Sequence, residues 1–413
     1  MKKQRDKVLL RAAWVAPICA PVIRHGGVVF EDGTVLDVGE PQSLQERYPD
    51  ARIIDRPGCT ILPGLVNPHA HLELSGLARK PRPPSFVDWL WDLIGAVPGD
   101  EESTQRFVAR SIAIGAEQCL RFGVTCVGDI TANCPLARPL LAGAPIRVVS
   151  FGEVRAMAQR RLLLEDRLAK AVDVTYASDR LGIGVSPHAP YSVEEQGYRR
   201  CVDESSARKM PLATHLAETQ DEATFLVNHD GPFRQLWDRL GAWDQKVPLF
   251  RGGPIRFAKS VGLLDHSTLL AHVNYCDDAE MDLIADGNAS VVYCPRTHAY
   301  FCNPPHRWRE MLLRGINVAV GTDSCASSPD LNLVDDLRLL RSLAPDVPAH
   351  RLWEMITIRS ARAIQMEHLV GTLAAGKAAD IVLFPAAGDD PLAEILDQGK
   401  LPTEVWIGGA LTG

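Results

Sequence analysis

The sequence predicts an α/β protein: a (β/α)8 barrel, the TIM-barrel architecture, with a small β-sandwich domain formed by both chain ends. Three observations carry that expectation. Between residues 59 and 368, eight short apolar strand candidates alternate with longer helical segments, the rhythm of a parallel α/β domain. Residues 1–58 and 369–413 read instead as short strands and turns. A doubly wound open sheet is the alternative. It would usually carry a glycine-rich phosphate loop after an early strand, and none occurs here.

In chain order, Val8–Val15, Gly27–Phe30 and Thr34–Val38 are rich in β-branched residues, and Asp32-Gly33 supplies a tight turn. The barrel strand candidates are Thr60–Asn67, Val124–Ile130, Ile146–Gly152, Leu181–Ser186, Leu212–His215, Thr268–His272, Ala289–Cys294 and Asn317–Gly321. Val108, Ile112, Ala116 and Cys119 share one face at helical spacing, with Gly123 as a stop, and Asp278–Asp286 reads as a further helix before Gly287. Ala379–Phe384 and Glu404–Ile407 return to strand texture, punctuated by Gly408-Gly409.

Composition narrows the function. The 413 residues are 46% apolar and 23% charged, with formal charge −7, so a general nucleic-acid binder is disfavoured. No run of eighteen apolar residues exists, so no membrane-spanning helix is expected. Ten scattered cysteines without a CxxC pair fit a reducing, cytoplasmic setting better than a disulfide framework. Basic Met1–Lys7 before Val8–Ala20 superficially resembles a signal peptide. Arg11, Pro17 and Pro21 interrupt it, and an opening strand is expected instead. The expected partner is a small-molecule substrate; a homodimer is expected only as the commonest assembly.

Sites of such barrels lie at the C-terminal strand ends. After the first strand comes Pro63-Gly64-Leu65-Val66-Asn67-Pro68-His69-Ala70-His71-Leu72-Glu73, and residues two apart in an extended segment point the same way. The fifth strand ends Thr214-His215-Leu216-Ala217-Glu218, the sixth Leu270-Ala271-His272, the eighth Gly321-Thr322-Asp323-Ser324. Four strand ends thus bring four histidines and a carboxylate toward one axis. Imidazole and carboxylate suit Zn²⁺ or Fe²⁺.

These segments, with late Gly371-Thr372-Leu373-Ala374-Ala375-Gly376-Lys377-Ala378-Ala379-Asp380, resemble the amidohydrolase superfamily over nearly the whole chain, and within it the metal-dependent deaminase and chlorohydrolase branch. The resemblance implies one divalent metal, Zn rather than Fe, held by His69, His71, His215 and Asp323. Binuclear relatives carry a carboxylated lysine at the fourth strand end, whereas here that end reads Val185-Ser186-Pro187-His188-Ala189-Pro190-Tyr191 and the nearest lysine, Lys170, lies in a preceding helix. It also implies that Asp323 takes a proton from the attacking water, that His272 contacts that water, and that Glu218 protonates a ring nitrogen and passes a proton to the leaving group.

The expected reaction is hydrolysis of a C–N bond in a cyclic amidine. HLELS, SPHAPYS, HLAET and GTDS resemble nucleoside-type deaminases, including adenosylhomocysteine/methylthioadenosine and aminodeoxyfutalosine deaminases, which remove the 6-amino group of an adenine nucleoside. A guanine, pterin or triazine hydrolase of the same branch is the alternative, and a non-catalytic scaffold the remote one. Substrate contacts are expected from Glu73, Trp89 (with Trp91), His188 (with Tyr191), Arg296 and His298, which follow strand ends and offer aromatic surface and polar groups. Arg296 could pair with a substrate carboxylate.

Overall fold

The computed structural model describes residues 7–412. Eight parallel strands run in sequence order around a barrel: β1 Leu65–Ala70, β2 Val124–Thr131, β3 Arg147–Val154, β4 Leu181–Pro187, β5 Leu212–Leu216, β6 Thr268–His272, β7 Ser290–Tyr293 and β8 Asn317–Val320. Every neighbouring pair from β1 to β8 is hydrogen-bonded. The remaining seam closes just above β8, where Ala70 bridges Asp323 and Asp323 N donates to His69 O at 3.0 Å.

Strand alternation sorts the core. Leu212, Leu270, Val291, Val318 and Val320 pack outward with helix residues such as Val108, Ile112 and Leu337. Their strand neighbours Ala213, Leu269, Ala271, Val292 and Ala319 pack with Val66, Val149 and Phe151 in a separate cluster, joined by Ala361 and Ala363 from the helix Ile358–Ala363. Those small and branched residues fill the barrel, so its chemistry is confined to the strand ends.

Helix boundaries follow local signals. Helix Glu101–Arg121 starts at Asp100, whose side chain accepts from Ser103 N, and buries Val108, Ile112, Ala116 and Cys119; Gly123 follows it at φ +80°. Helix Asp278–Ala285 has a full capping box between Asp277 and Glu280.

The chain ends build one eight-stranded sheet. Its order is Ala410–Leu411, Glu404–Ile407, Ile381–Phe384, Arg52–Pro63, Val8–Val15, Gly27–Glu31 and Thr34–Gly39, with Ile23–Arg24 on the flank of Val8–Val15. The expected strand Thr60–Asn67 is two strands in fact. Arg52–Pro63 belongs to this sheet, beyond the expected boundary at residue 58, and the barrel strand begins only at Leu65. An apolar run cannot reveal that split, because both halves are buried, in different sheets. A buried ion pair ties the two sheets: Arg147 Nε, at the base of β3, donates to Asp380 Oδ2 at 2.8 Å, and Gly408 N donates to Asp380 Oδ1. Val8–Val15 is a strand as expected; the basic residues 1–6 lie outside the described ones. Among the described residues no helix is long and apolar enough to cross a membrane.

Candidate metal centre and substrate cleft

At the C-terminal mouth of the barrel, β1, β5, β6 and the segment after β8 place His69, His71, His215, His272 and Asp323 together. One ligand atom from each of His69, His215 and His272 falls within 4.8 Å of the others, and so does one from each of His69, His71 and Asp323. His69 Nε2 and His71 Nε2 lie 3.6 and 3.4 Å from Asp323 Oδ1, and His71 Nε2 faces His215 Nε2 at 3.3 Å. Both ring nitrogens of His69 and Nε2 of His272 are buried without a hydrogen-bond partner. Buried polar atoms are rarely left unpaired. Lone pairs converging on one point from neutral rings suit a divalent cation. Burial, the largest cause, pushes His71 and His215 well below the ordinary imidazole pKa. Burial opposes ionisation of Asp323, but the nearby rings of His69, His272 and His71 outweigh it and hold the carboxyl far below its usual range.

The surroundings fix these groups. His215 Nδ1 lies 3.2 Å from His188 O, which turns Nε2 toward the cluster. Ser327 Oγ donates to Asp323 Oδ2 at 2.9 Å and leaves Oδ1 to the histidines. Asn67 Nδ2 donates to Thr322 Oγ1 at 2.8 Å, tying β1 to the segment that carries Asp323. Ala217, His272, Val273 and Asp323 all have positive φ, between +49° and +75°. Such backbone persists in non-glycine residues only where the surroundings over-determine it, which is common at functional sites.

Glu218 is buried, with Oε1 3.4 Å from His272 Nε2. Burial, then Asp323 and Glu222, raise its pKa well above the carboxylate range. Glu222, which sequence reasoning missed, accepts from Ala217 N at 2.9 Å and Glu218 N at 3.1 Å and so clamps the backbone on which Glu218 sits. Its signal was present as Thr219-Gln220-Asp221-Glu222, the spacing of a capping box at the start of helix Gln220–Asn228.

The cluster floors a cleft of about 490 Å³. Glu73, Trp89, His188 and Tyr191 line it. Glu73 accepts from Ala132 N, Asn133 N and Asn133 Nδ2 at 2.8–3.2 Å, and burial and Asp129 raise its pKa to about 7. Ser192 donates its hydroxyl to Ala189 O, leaving its oxygen to accept from His188 Nδ1 at 2.6 Å; His188 Nε2 is thereby an acceptor. Trp89 Nε1 donates to Ala326 O at 3.3 Å.

Three expected contacts are placed elsewhere. Arg296 does not line the cleft: its guanidinium donates to Asp336 Oδ2, Asp330 Oδ1 and the carbonyls of Asp330 and Asn332. Four of its five donors are thus spent on Asp330, Asn332 and Asp336, away from the cleft. His298 packs edge-on against Tyr293 and His306, off the cleft. Helix Pro295–Tyr300 starts immediately after β7 and carries both side chains away from the axis. Trp91 lies under Arg239, 4.0 Å from the ring centre, outside the lining. Missed lining groups are Glu153 and Arg155 at the end of β3, and Arg167. A carboxylate in the penultimate position of a barrel strand was the available signal for Glu153.

The Amidohydrolase family profile matches residues 60–411. The chain belongs to the amidohydrolase family. It is a hydrolase of the kind that acts on C–N bonds. This amidohydrolase is 27% identical over 393 residues to the 5-methylthioadenosine/S-adenosylhomocysteine deaminase of Moorella thermoacetica, covering 91% of this chain and 85% of the relative. Its fold matches Helicobacter pylori aminofutalosine deaminase in complex with methylthio-coformycin, with a TM-score of 0.85 and 23% identity over 98% of this chain and all of that one. It also matches a zinc-bound adenosine deaminase from Xanthomonas campestris, with a TM-score of 0.79 and 24% identity over 98% and 92%. At those identities the two structures establish the fold alone.

Proposed function

We propose that this amidohydrolase removes the 6-amino group of an adenine nucleoside and releases ammonia, using one divalent metal ion, zinc rather than iron. The observation that carries the reading is the buried Glu218 carboxyl 3.4 Å from His272, beside a convergent His/Asp set and beneath an aromatic-walled cleft. The names of relatives across 91% of the chain support the nucleoside class.

His69, His71, His215 and Asp323 would hold the ion. Bound there, a divalent ion supplies Lewis acidity that brings the pKa of water near neutrality. A single ion fits Lys170, whose Nζ is engaged 2.6 Å from Asp166 rather than bridging the cluster. Asp323 Oδ1 accepts a proton from the attacking water, which His272 positions. Glu218 gives its proton to the ring nitrogen beside the reacting carbon, which becomes tetrahedral. Glu218 then takes the hydroxyl proton as the carbonyl forms and hands it to the amino group, which leaves as ammonia. The proton on Asp323 and the empty carboxylate of Glu218 reset by exchange with solvent. His188 Nε2 and Glu73 are suited to receive sugar hydroxyls at the mouth.

The test is ammonia release from adenosine, 5′-methylthioadenosine, S-adenosylhomocysteine and aminodeoxyfutalosine against free adenine, with metal analysis. Turnover of nucleosides by protein holding about one zinc per chain is expected. Turnover of guanine, a pterin or a triazine alone would move the site to the other reading.

A further inference from the structure

One buried imidazole near the metal cluster has no part in the chemistry above. His306 follows Pro304-Pro305 in the segment between helices Pro295–Tyr300 and Trp308–Leu313, and only 9% of it is exposed. Its ring stacks on Tyr293, the last residue of β7, with centres 4.0 Å apart and planes 16° from parallel. Its Nε2 lies 2.9 Å from the carbonyl oxygen of His272, while Nδ1 is buried without a partner. Burial pushes its pKa down to about 3, so the ring is neutral and carries one hydrogen. A carbonyl oxygen only accepts, so that hydrogen sits on Nε2 and is donated to His272.

That bond meets the backbone where it is most distorted. His272 and Val273 are consecutive non-glycine residues with φ of +75° and +49°. Such residues persist only where other contacts over-determine them. The contacts come from two sides. On the β5 side, Val273 N donates to Leu216 O at 3.0 Å, Tyr275 N to Ala217 O at 3.2 Å, and Asn274 Nδ2 to Glu218 O at 3.0 Å. On the side of the segment after β7, Arg307 Nη1 donates to Cys276 O at 3.1 Å and Asn303 Oδ1 accepts from Tyr275 Oη at 3.2 Å. The peptide group between His272 and Val273 is thus held at both ends, its N–H by Leu216 O and its carbonyl by His306. Freeing the carbonyl lets φ of His272 relax and turns the Cα–Cβ bond that aims the imidazole, whose Nε2 lies 3.4 Å from Glu218 Oε1.

The structure assigns His306 as a positioning residue of the hydrolytic reaction: through the His272 carbonyl it holds the left-handed backbone that aims the His272 imidazole at the attacking water. The inference rests on the reading above in which His272 positions that water, and it applies to a nucleoside or to another ring substrate alike.

The experiment compares the wild type with His306→Phe, His306→Gln and His272→Asn, on whichever substrate of the panel above the wild type turns over. Phenylalanine keeps the stack on Tyr293 and removes the donor. Glutamine keeps an N–H donor and gives up the stack. His306→Phe is expected to lose about 10- to 100-fold in kcat, the cost of a small misplacement, with KM and bound metal little changed. His306→Gln regains most of that loss. Crystal structures of the metal-free proteins are expected to show His272 leaving its left-handed φ in His306→Phe and keeping it in His306→Gln. If His306→Phe does not fold, His306→Asn, too short to reach the carbonyl, takes its place with the same readouts. Wild-type kcat in the donor-less variant overturns the inference. Equal losses in His306→Phe and His306→Gln, loss of metal, or an unmoved His272 overturn it too. A loss in His272→Asn with none in His306→Phe removes His306 and keeps His272 as the group that positions water. Near-normal turnover in His272→Asn sinks that reading of His272 itself.

Discussion

The floor of the cleft and its side wall are built on opposite electrostatic plans. On the floor, His69 has both ring nitrogens buried and unpaired, and Asp323, His272 and Ala217 sit on positive-φ backbone held by Ser327, His306 and Glu222. Each of these groups is held by its neighbours. On the wall, Arg167 is half-buried and donates to one backbone carbonyl, with Arg155 and Arg160 as neighbouring cations. The difference teaches how the site divides its labour. Rigid, over-determined groups suit bond-making, where a small misplacement is costly. A single hydrogen bond from a helix surface leaves a cation far less constrained than the floor groups.

The comparison is broken most severely through the floor. His69→Ala and Asp323→Ala are expected to abolish turnover and to drop bound metal from about one equivalent per chain to near zero by elemental analysis. Two tightly held ions in the wild type would contradict the single-ion centre. Glu218→Gln keeps the metal and loses about 10²–10⁴-fold in kcat. If that variant turns over near normally, proton transfer lies elsewhere. Next come Glu73→Ala and His188→Ala, at the border of floor and wall. Each should lower kcat/KM for nucleosides about 10- to 100-fold more than for the free base, the worth of a charged hydrogen bond. Equal losses on base and nucleoside would remove sugar binding from these residues. The smallest kinetic effect is expected from Arg296→Gln. It leaves the Asp336 carboxyl buried and unpaired, so unfolding free energy should fall by about 3–5 kcal/mol in denaturant titration. Preference between anionic and neutral substrates should stay the same, and a changed preference would return Arg296 to the substrate.

Much of the floor was legible in the chain because its residues are tied to strand ends. Barrel order plus the segments around His69, His215, His272 and Asp323 suffices to converge them, since each parallel strand delivers its C-terminal end to one face. The wall was not legible. Arg167 lies thirteen residues beyond the end of β3, in a helix where a charged residue ordinarily reads as a solvated face. Arg296 failed in the opposite sense. It follows a strand end closely, yet Asp330 and Asp336, some forty residues on, claim its guanidinium.

The sequence by itself determined the alternation of strands and helices, the two sets of terminal strands and the identity of the converging histidines and carboxylate, because periodicity and residue chemistry are local properties. Tertiary structure alone decided which way several of those side chains face. Counting by twos from Val66 sends His69 to the outer side of β1, and counting from Leu270 does the same for His272. A register irregularity between Asn67 and Ala70 intervenes for the first, and φ of +75° takes the second out of strand geometry. Both distortions are held by contacts from distant segments, Thr322 on Asn67 and His306 Nε2 at 2.9 Å from the carbonyl of His272. A local pattern cannot encode a conformation whose energy is supplied by residues brought near only when the barrel closes.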